Sequence, residues 1–543
     1  MCGFAGCVNF KPSDPAAIEA VLASRGPDGR GVYEDEHTWL LHRRLSIIDL
    51  DERSNQPFAL PDGSVLVYNG ELYNHHEFDS ALPERTTNGD TEVVAHLGDD
   101  PEFVAQFRGM YAYALHRPDG IVHLVRDRFG IKPLYFSVRG KTLMYASQLR
   151  CFTNDPVPAQ ISQQAVASFL RFGCVVTPTM YEGVFELSPG HHLRWRDGVV
   201  LGIEPVPALA PASNDLGEVL RQSVERHLVA DVPTCVLLSG GLDSAVVAKL
   251  AAESSMTTPA AVTLSVGGEI DELDRTKRTA ENYGLELHSV VWSDGEVADL
   301  VDEFFAAMDQ PTIDGLNTFL VCRVVRELGF KVALSGLGAD ELFGGYAVYK
   351  QAGGARLASR LPNPVFRHAL SLAGRGLNEA KFERVVDNRT DLVELGRVSR
   401  ELRTPEKARE MAGVAVATTP RIPTIIDPIQ EGEFAHYMRP MLLRDSDAFS
   451  MASSVELRVP FLDDDVYALA NRRSSADRAF RGKQSIVDAL RDPYLQQVFD
   501  EPKTGFRLPM AKWFDIQPSA EGEPWSVEWS DRVLAGWTTR RGG

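Results

Sequence analysis

The sequence predicts two domains of different class. The first is an α+β domain of stacked, largely antiparallel sheets, and the second an α/β domain with a doubly wound parallel sheet and a mostly helical C-terminal part. Three observations predict this. Up to about residue 205 the chain is a succession of short β-rich runs broken by Gly, Pro and Asn. Beyond it, apolar runs alternate with helical patterns, as a parallel sheet covered on both faces requires. From about 350, helical spacing dominates.

The elements follow in order. TWLLHRRLSIID (38–49), SVLVYNGELYN (64–74), MYAYALHR (110–117), IVHLVRD (121–127) and LYFSV (134–138) read as the strands of a first domain over 1–205. EPVPALAPASN (204–214), rich in Pro and Ala and without apolar periodicity, reads as a linker. A second domain over 206–520 then opens with TCVLLSG, LDSAVVAKLAAES, AAVTLSVG, DRTKRTAENYG, HSVVWS, EVADLVDEFFAAM and KVALSG, strand and helix by turns. The last stretch, 515–543, reads as loose, and 521–543 as a C-terminal tail.

Composition narrows the function. With 543 residues the chain exceeds one ordinary core, and 44% apolar with 24% charged residues is a globular balance. A net charge of −19 repels a phosphate backbone, which argues against nucleic acid. No apolar run reaches the roughly 18–20 residues of a membrane span, and the start lacks the basic-then-apolar layout of a signal peptide, so a cytoplasmic protein is expected. The six cysteines, Cys2, Cys7, Cys151, Cys174, Cys235 and Cys322, are scattered without a CxxC pair, which indicates neither a disulfide framework nor a zinc site.

One cysteine stands second. If Met1 is removed, the Cys2 thiol and a free α-amine share one residue, and an amine of pKa about 7.7–8.0 can serve as base to a thiol of pKa near 8.5. Gly3 leaves room around it. RGPDG (25–29), HRRLSIID (42–49), YNGELYN (68–74) and NGD (88–90) follow in order. Each alone has a blander reading: Asn69-Gly70 a hairpin turn, Asp90 a solvated loop, Arg44 a surface charge. Together with Cys2 they resemble the glutaminase domain of class II, N-terminal-nucleophile amidotransferases over most of 1–190. The resemblance implies that Cys2 is the nucleophile and that Asn69 and Gly70 donate to the oxyanion. It also implies that Arg44, with the backbone of Ile47 and Ile48, binds the glutamine carboxylate, and that Glu71 and Asp90 hold its ammonium group.

A second constellation lies in VLLSGGLDSAVVAKL (236–250), an apolar strand, a Ser-Gly-Gly turn and an apolar helix. Such a turn and helix N-terminus form an anion nest, and the spacing fits neither GxxxxGK[ST] nor GxGxxG. SGGxDS resembles the PP-loop of ATP pyrophosphatases, which adenylate an acceptor and release pyrophosphate. LSGLGADELFGGY (334–346) again follows an apolar strand, although it also reads as a glycine-rich bend. RDSDAFSMASSVELRVPFLD (444–463), GKQSIVDAL (482–490) and PKTGFRLPMAKWF (502–514) extend the likeness to the asparagine synthetase B family over roughly 1–514.

That family resemblance implies an ATP site of Leu238, Ser239, Gly240, Gly241, Asp243, Ser244, Leu264, Ser335 and Gly336. It implies Mg²⁺ on Asp243 and Asp340 and a catalytic Lys483 against the phosphates. The implied reaction hydrolyses glutamine, carries ammonia internally to a second site, and amidates an acyl-AMP made from a small carboxylate, releasing glutamate, AMP and pyrophosphate. The family often forms dimers.

Two positions depart from the family pattern. Members that amidate aspartate read SGEGADE where this chain reads SGLGADE, so Leu337 replaces a carboxylate able to position ammonia or take its proton. A small acid other than aspartate is therefore the expected acceptor, with aspartate itself the alternative. MDQPTIDGLNTF (308–319) is more similar to members with other acceptors. Gln148 stands where the family commonly has Glu, at the seam between domains, and is expected to weaken a domain contact. A β-lactam-synthetase-like intramolecular amide former is a further alternative, against which the full set Cys2, Arg44, Asn69, Gly70 and Asp90 argues. A degenerate scaffold would not need both metal carboxylates and Lys483.

Overall fold

The computed structural model describes residues 2–152, 159–207, 211, 213–255, 258–265, 272–346, 348–350, 364, 384, 392–417, 427–502, 508–517 and 524–541. The expected linker and the segment 502–514 lie partly outside the described residues.

The β-rich runs form two six-stranded antiparallel sheets. In the first, Cys2–Val8 is central, paired with Thr38–Arg44 on one side and Thr142–Ala146 on the other. In the second, Val65–Leu72 pairs along its whole length with Gly109–His116. Period-2 alternation sends one set of side chains from each sheet, including Phe4, Leu40, Val67, Leu124 and Tyr145, into a shared core between them. On the second sheet's other face, Tyr68, Leu72 and Tyr113 pack against Val93, Val94 and Leu97 of the helix Asp90–Leu97. Cys2 thus lies on a central strand of one sheet, and Asn69 on the strand next to the edge of the other.

The second domain holds a five-stranded, wholly parallel sheet in the order Glu286–Val291, Ala260–Ser265, Thr234–Leu237, Val332–Leu334, Glu456–Arg458. The first strand in sequence is central, so the strand order reverses between Thr234–Leu237 and Val332–Leu334. Beyond the carboxyl ends at such a reversal the connecting loops diverge and leave a crevice, where ligands of open α/β sheets bind. The SGGLDS and SGLGAD turns both leave the sheet there.

Two expectations are corrected. The parallel sheet gains a fifth strand, Glu456–Arg458, from a stretch read as helical; three residues between Ser454 at φ 55° and Pro460 are too few to show a strand period. The loose tail is instead a helix, Trp525–Arg541. Trp529, Val533 and Trp537, spaced four apart, are almost fully buried beside Tyr181 and Phe305.

Apolar packing runs across the domain boundary. Leu45, Ile47, Tyr73, Phe129 and Ile131 of the first domain share one cluster with Val219, Leu238 and Phe461 of the second.

Candidate active sites

Cys2 is 7% exposed, and its backbone N–H donates to Asn69 Oδ1 at 3.0 Å. Asn69 is fully buried, and among the described residues its Nδ2 has no partner. A buried amide donor left unpaired costs about 1–3 kcal/mol, which makes this group a candidate donor to a ligand. A Cβ at Gly70 would lie 2.2 Å from the Met110 carbonyl oxygen, and only glycine lets this strand approach its neighbour so closely. Burial raises the pKa of the Cys2 thiol, against nearby positive charge that includes Arg44. A base at hand is correspondingly valuable.

Glu71 is buried, with Oε1 4.0 Å from Arg458 Nη2 and Oε2 unpartnered among the described residues. Burial first, then the charges of Glu456 and Asp90, push its carboxyl well above the usual range. Asp90 Oδ2 accepts from Tyr68 Oη and from the Leu72 N–H, both at 2.8 Å, which pins the helix Asp90–Leu97 behind the Asn69–Glu71 strand. Arg44, read as a ligand of the glutamine carboxylate, reaches the backbone of its own loop. Nη1 donates to the Asp51 carbonyl at 2.8 Å and to Asn55 Oδ1 at 3.0 Å, and Nη2 to the Ile48 and Asp49 carbonyls at 3.3 and 2.5 Å. It thereby shapes the 48–55 loop. The Ile47 carbonyl accepts the Asp231 N–H across the domain boundary at 2.9 Å, whereas Ile48 is half-buried at that boundary.

The second set of residues lines one cavity of about 430 Å³ at the strand-order reversal. Leu238, Ser239, Asp243, Ser244 and Leu264 form one side, and Ser335, Gly336, Leu337 and Asp340 another. Gly240 and Gly241 shape the turn beneath rather than the wall. Ser244 Oγ bridges it, 3.0–3.1 Å from the Ser239 and Gly241 groups. The helix Leu242–Ser254 points its N-terminus and orphan N–H groups at the cavity. A Cβ at Gly336 would lie 2.8 Å from the Asp243 carbonyl carbon and Ser244 nitrogen, so glycine lets the two turns meet.

Lys483 joins the carboxylates of Asp243, at 2.6 Å, and Asp340. Burial disfavours the ammonium, but these two charges outweigh it and raise its pKa. Among the described residues no group of three or more His, Cys, Asp or Glu could by itself hold a metal. Two carboxylates within reach of one ammonium nonetheless supply the hard oxygens that suit Mg²⁺ when phosphate oxygens complete its shell.

The same cavity carries Asp314, Asn317, Glu341, Tyr346 and Asp445. Burial raises the pKa of Asp445 well above the carboxylate range and that of Glu341 to about 7. Gln148, expected to weaken a domain contact, turns back into its own domain. With its amide oriented to suit its neighbours it donates to the Val21 carbonyl at 2.8 Å and accepts from Arg150 at 3.1 Å, both in its own domain. The seam is held instead by the Leu149 and Arg150 N–H groups on Asp309, at 2.9 and 3.1 Å.

Sequence reading missed the residues between the two sites. In the strand Glu456–Arg458, Leu457 lines the 430 Å³ cavity, while Glu456 and Arg458 turn to the first domain. Arg458 is fully buried, paired with Glu456 at 2.5 Å and set over the Tyr73 ring at 5.3 Å. Its backbone carbonyl accepts the Ser335 N–H at 2.8 Å. The segment SVELRVPFLD held these residues, but a charged side chain between apolar ones gives no sign of its partner in another domain.

Residues 215–524 match the asparagine synthase family and residues 1–202 a glutamine amidotransferase domain. The chain is 29% identical to asparagine synthetase [glutamine-hydrolyzing] 1 of Bacillus subtilis, over 94% of this chain and 88% of that one. It is 30% identical to a putative asparagine synthetase [glutamine-hydrolyzing] of Mycobacterium tuberculosis, with the same coverage. Against asparagine synthetase B [glutamine-hydrolyzing] of Escherichia coli it is 29% identical over 62% of each. A glutamine amidotransferase domain ahead of an asparagine synthase domain, matched along nearly its whole length, places this chain in the asparagine synthetase family of glutamine-using carbon–nitrogen ligases.

Proposed function

We propose that the protein hydrolyses glutamine at Cys2 and uses the ammonia to amidate an acyl-adenylate formed in the 430 Å³ cavity. The observation that carries this is the single strand Glu456–Arg458, one face on the cavity and the other on Glu71.

With Met1 removed, the Cys2 amine would accept the thiol proton while Asn69 Oδ1 orients that amine. Sγ attacks the glutamine side-chain carbonyl, and the developing oxyanion takes the free Asn69 Nδ2 and the Gly70 N–H. Collapse expels ammonia, leaving a thioester that water cleaves to glutamate. Glu71 and Asp90 would face the substrate ammonium, and Arg44 would act chiefly by holding the loop that cups the carboxylate.

In the cavity an acceptor carboxylate oxygen attacks the ATP α-phosphorus, pyrophosphate leaves, and ammonia displaces AMP from the acyl carbon. The SGGLDS turn would cradle the triphosphate, with Lys483 neutralising charge on the departing pyrophosphate. Mg²⁺ on Asp243 and Asp340 would supply charge neutralisation along the triphosphate. Passage inside the protein keeps ammonia from becoming ammonium, which has no lone pair to attack with.

A small carboxylic acid other than aspartate is the favoured acceptor, because Leu337 puts an apolar side chain on the cavity where a carboxylate would serve ammonia. The names of the relatives favour aspartate instead. A screen of carboxylic acids for pyrophosphate release with ATP, Mg²⁺ and glutamine decides between them. Turnover with aspartate alone would overturn the preference, and no release with any acid, together with no glutamate formed, would overturn the function.

A further inference from the structure

Arg25 is fully buried and reaches in two directions. Its Nε donates to the backbone carbonyl of Cys2 at 3.0 Å, and its Nη1 and Nη2 clasp the two oxygens of Asp447 at 2.7 and 3.0 Å. Lys132 Nζ, also buried, lies 3.8 Å from the same carboxylate. Asp447 belongs to the other domain, on the helix Arg444–Ala452 whose first turn puts Asp445 and Ser446 on the nucleotide-side cavity. The guanidinium is planar and its donors are fixed relative to one another, so a carboxylate that grips one edge sets where the Nε edge points. Gly3 permits this arrangement, since a Cβ there would approach Arg25 Cδ to 3.0 Å.

We propose that Asp447 is a positioning residue for the glutaminase nucleophile: acting through Arg25, a carboxylate of the synthetase domain fixes the peptide group of Cys2. The inference rests on the reading of Cys2 as nucleophile. Asp447 touches neither glutamine nor the thiol. It holds the Arg25 side chain that donates to the Cys2 carbonyl, and so sets the thiol's distance and angle to the substrate carbonyl. Displacements of about 1 Å in such geometry can cost up to 10²-fold in rate, while the glutamine-binding groups on 44–55, 71 and 90 remain in place.

The test uses the full chain and 6-diazo-5-oxo-L-norleucine, a glutamine analogue that alkylates an active thiol, with Cys2 labelling followed by intact mass. Asp447→Asn should slow labelling and lower kcat for glutamate release roughly tenfold, with KM for glutamine within about twofold and labelling still reaching completion. A merely structural role would leave a smaller active fraction labelled at the wild-type rate, and that result, or unchanged labelling, overturns the proposal. Should Asp447→Asn not accumulate folded, Asp447→Glu keeps the charge and displaces the fork. It must also slow labelling, and wild-type kinetics in that variant would equally overturn the proposal. A wild-type chain that is not labelled at Cys2 and releases no glutamate would instead overturn the glutaminase reading, and this inference with it.

Discussion

Arg458 Nη2 lies 4.0 Å from Glu71 Oε1, and the backbone of the same arginine accepts the N–H of Ser335, on the cavity wall. One residue therefore touches both candidate sites, and the molecule can be tested one site at a time.

Cys2→Ala should lower glutamate release by about 10³-fold, because the remaining groups can bind but not attack. Ammonium chloride in place of glutamine should still support pyrophosphate release with an active acceptor, within about twofold of wild type. Coupled glutamate and pyrophosphate assays on the same preparation check both halves.

Lys483→Met removes the cation between Asp243 and Asp340 and leaves two close carboxylates without it. Pyrophosphate release should fall by about 10²-fold while glutamate release at Cys2 persists. Equal loss of both activities would show that the lysine supports the fold rather than the chemistry.

Gly336→Ala puts a methyl group 2.8 Å from the backbone of Asp243 and Ser244, so the two turns must part. The expected result is a several-fold rise in the KM for ATP and a loss of about 1–3 kcal/mol in unfolding free energy, read by denaturant titration.

Glu341 is buried against Tyr346, which donates to it at 2.7 Å, and burial raises its pKa to about 7 from 4.5. A raised pKa means that the folded state holds its proton more tightly than the unfolded one. The group's favourable contribution is complete below about pH 4.5 and is lost as pH rises through 7. Glu341→Gln should therefore gain on wild type by about 2 kcal/mol between pH 5.5 and 8.5, measured by unfolding at each pH.

Much of this was legible in the sequence because its signals are local. The run TWLLHRR shows its own strand period, and SGGLDS announces a turn by composition. The strand Glu456–Arg458 escaped because three residues carry no period. The terminal helix escaped because Trp529, Val533 and Trp537 are separated by charged and small residues and find their partners in Tyr181 and Phe305, far back in the chain. Arg44 shows another limit. Its presence in HRRLSIID was plain, but its use on the carbonyls of 48–51 depends on how that loop folds back. Asp447 and Arg458 are invisible as site residues for the same reason, since their meaning lies in the other domain.

The central claim is that nitrogen passes from Cys2 to the nucleotide cavity without meeting solvent. Its most direct test supplies glutamine labelled with ¹⁵N in the amide, a large excess of unlabelled ammonium, ATP, Mg²⁺ and an active acceptor, and weighs the amide product. The account predicts product that keeps the label despite the excess. Product whose label is diluted to the bulk ammonium ratio would contradict it.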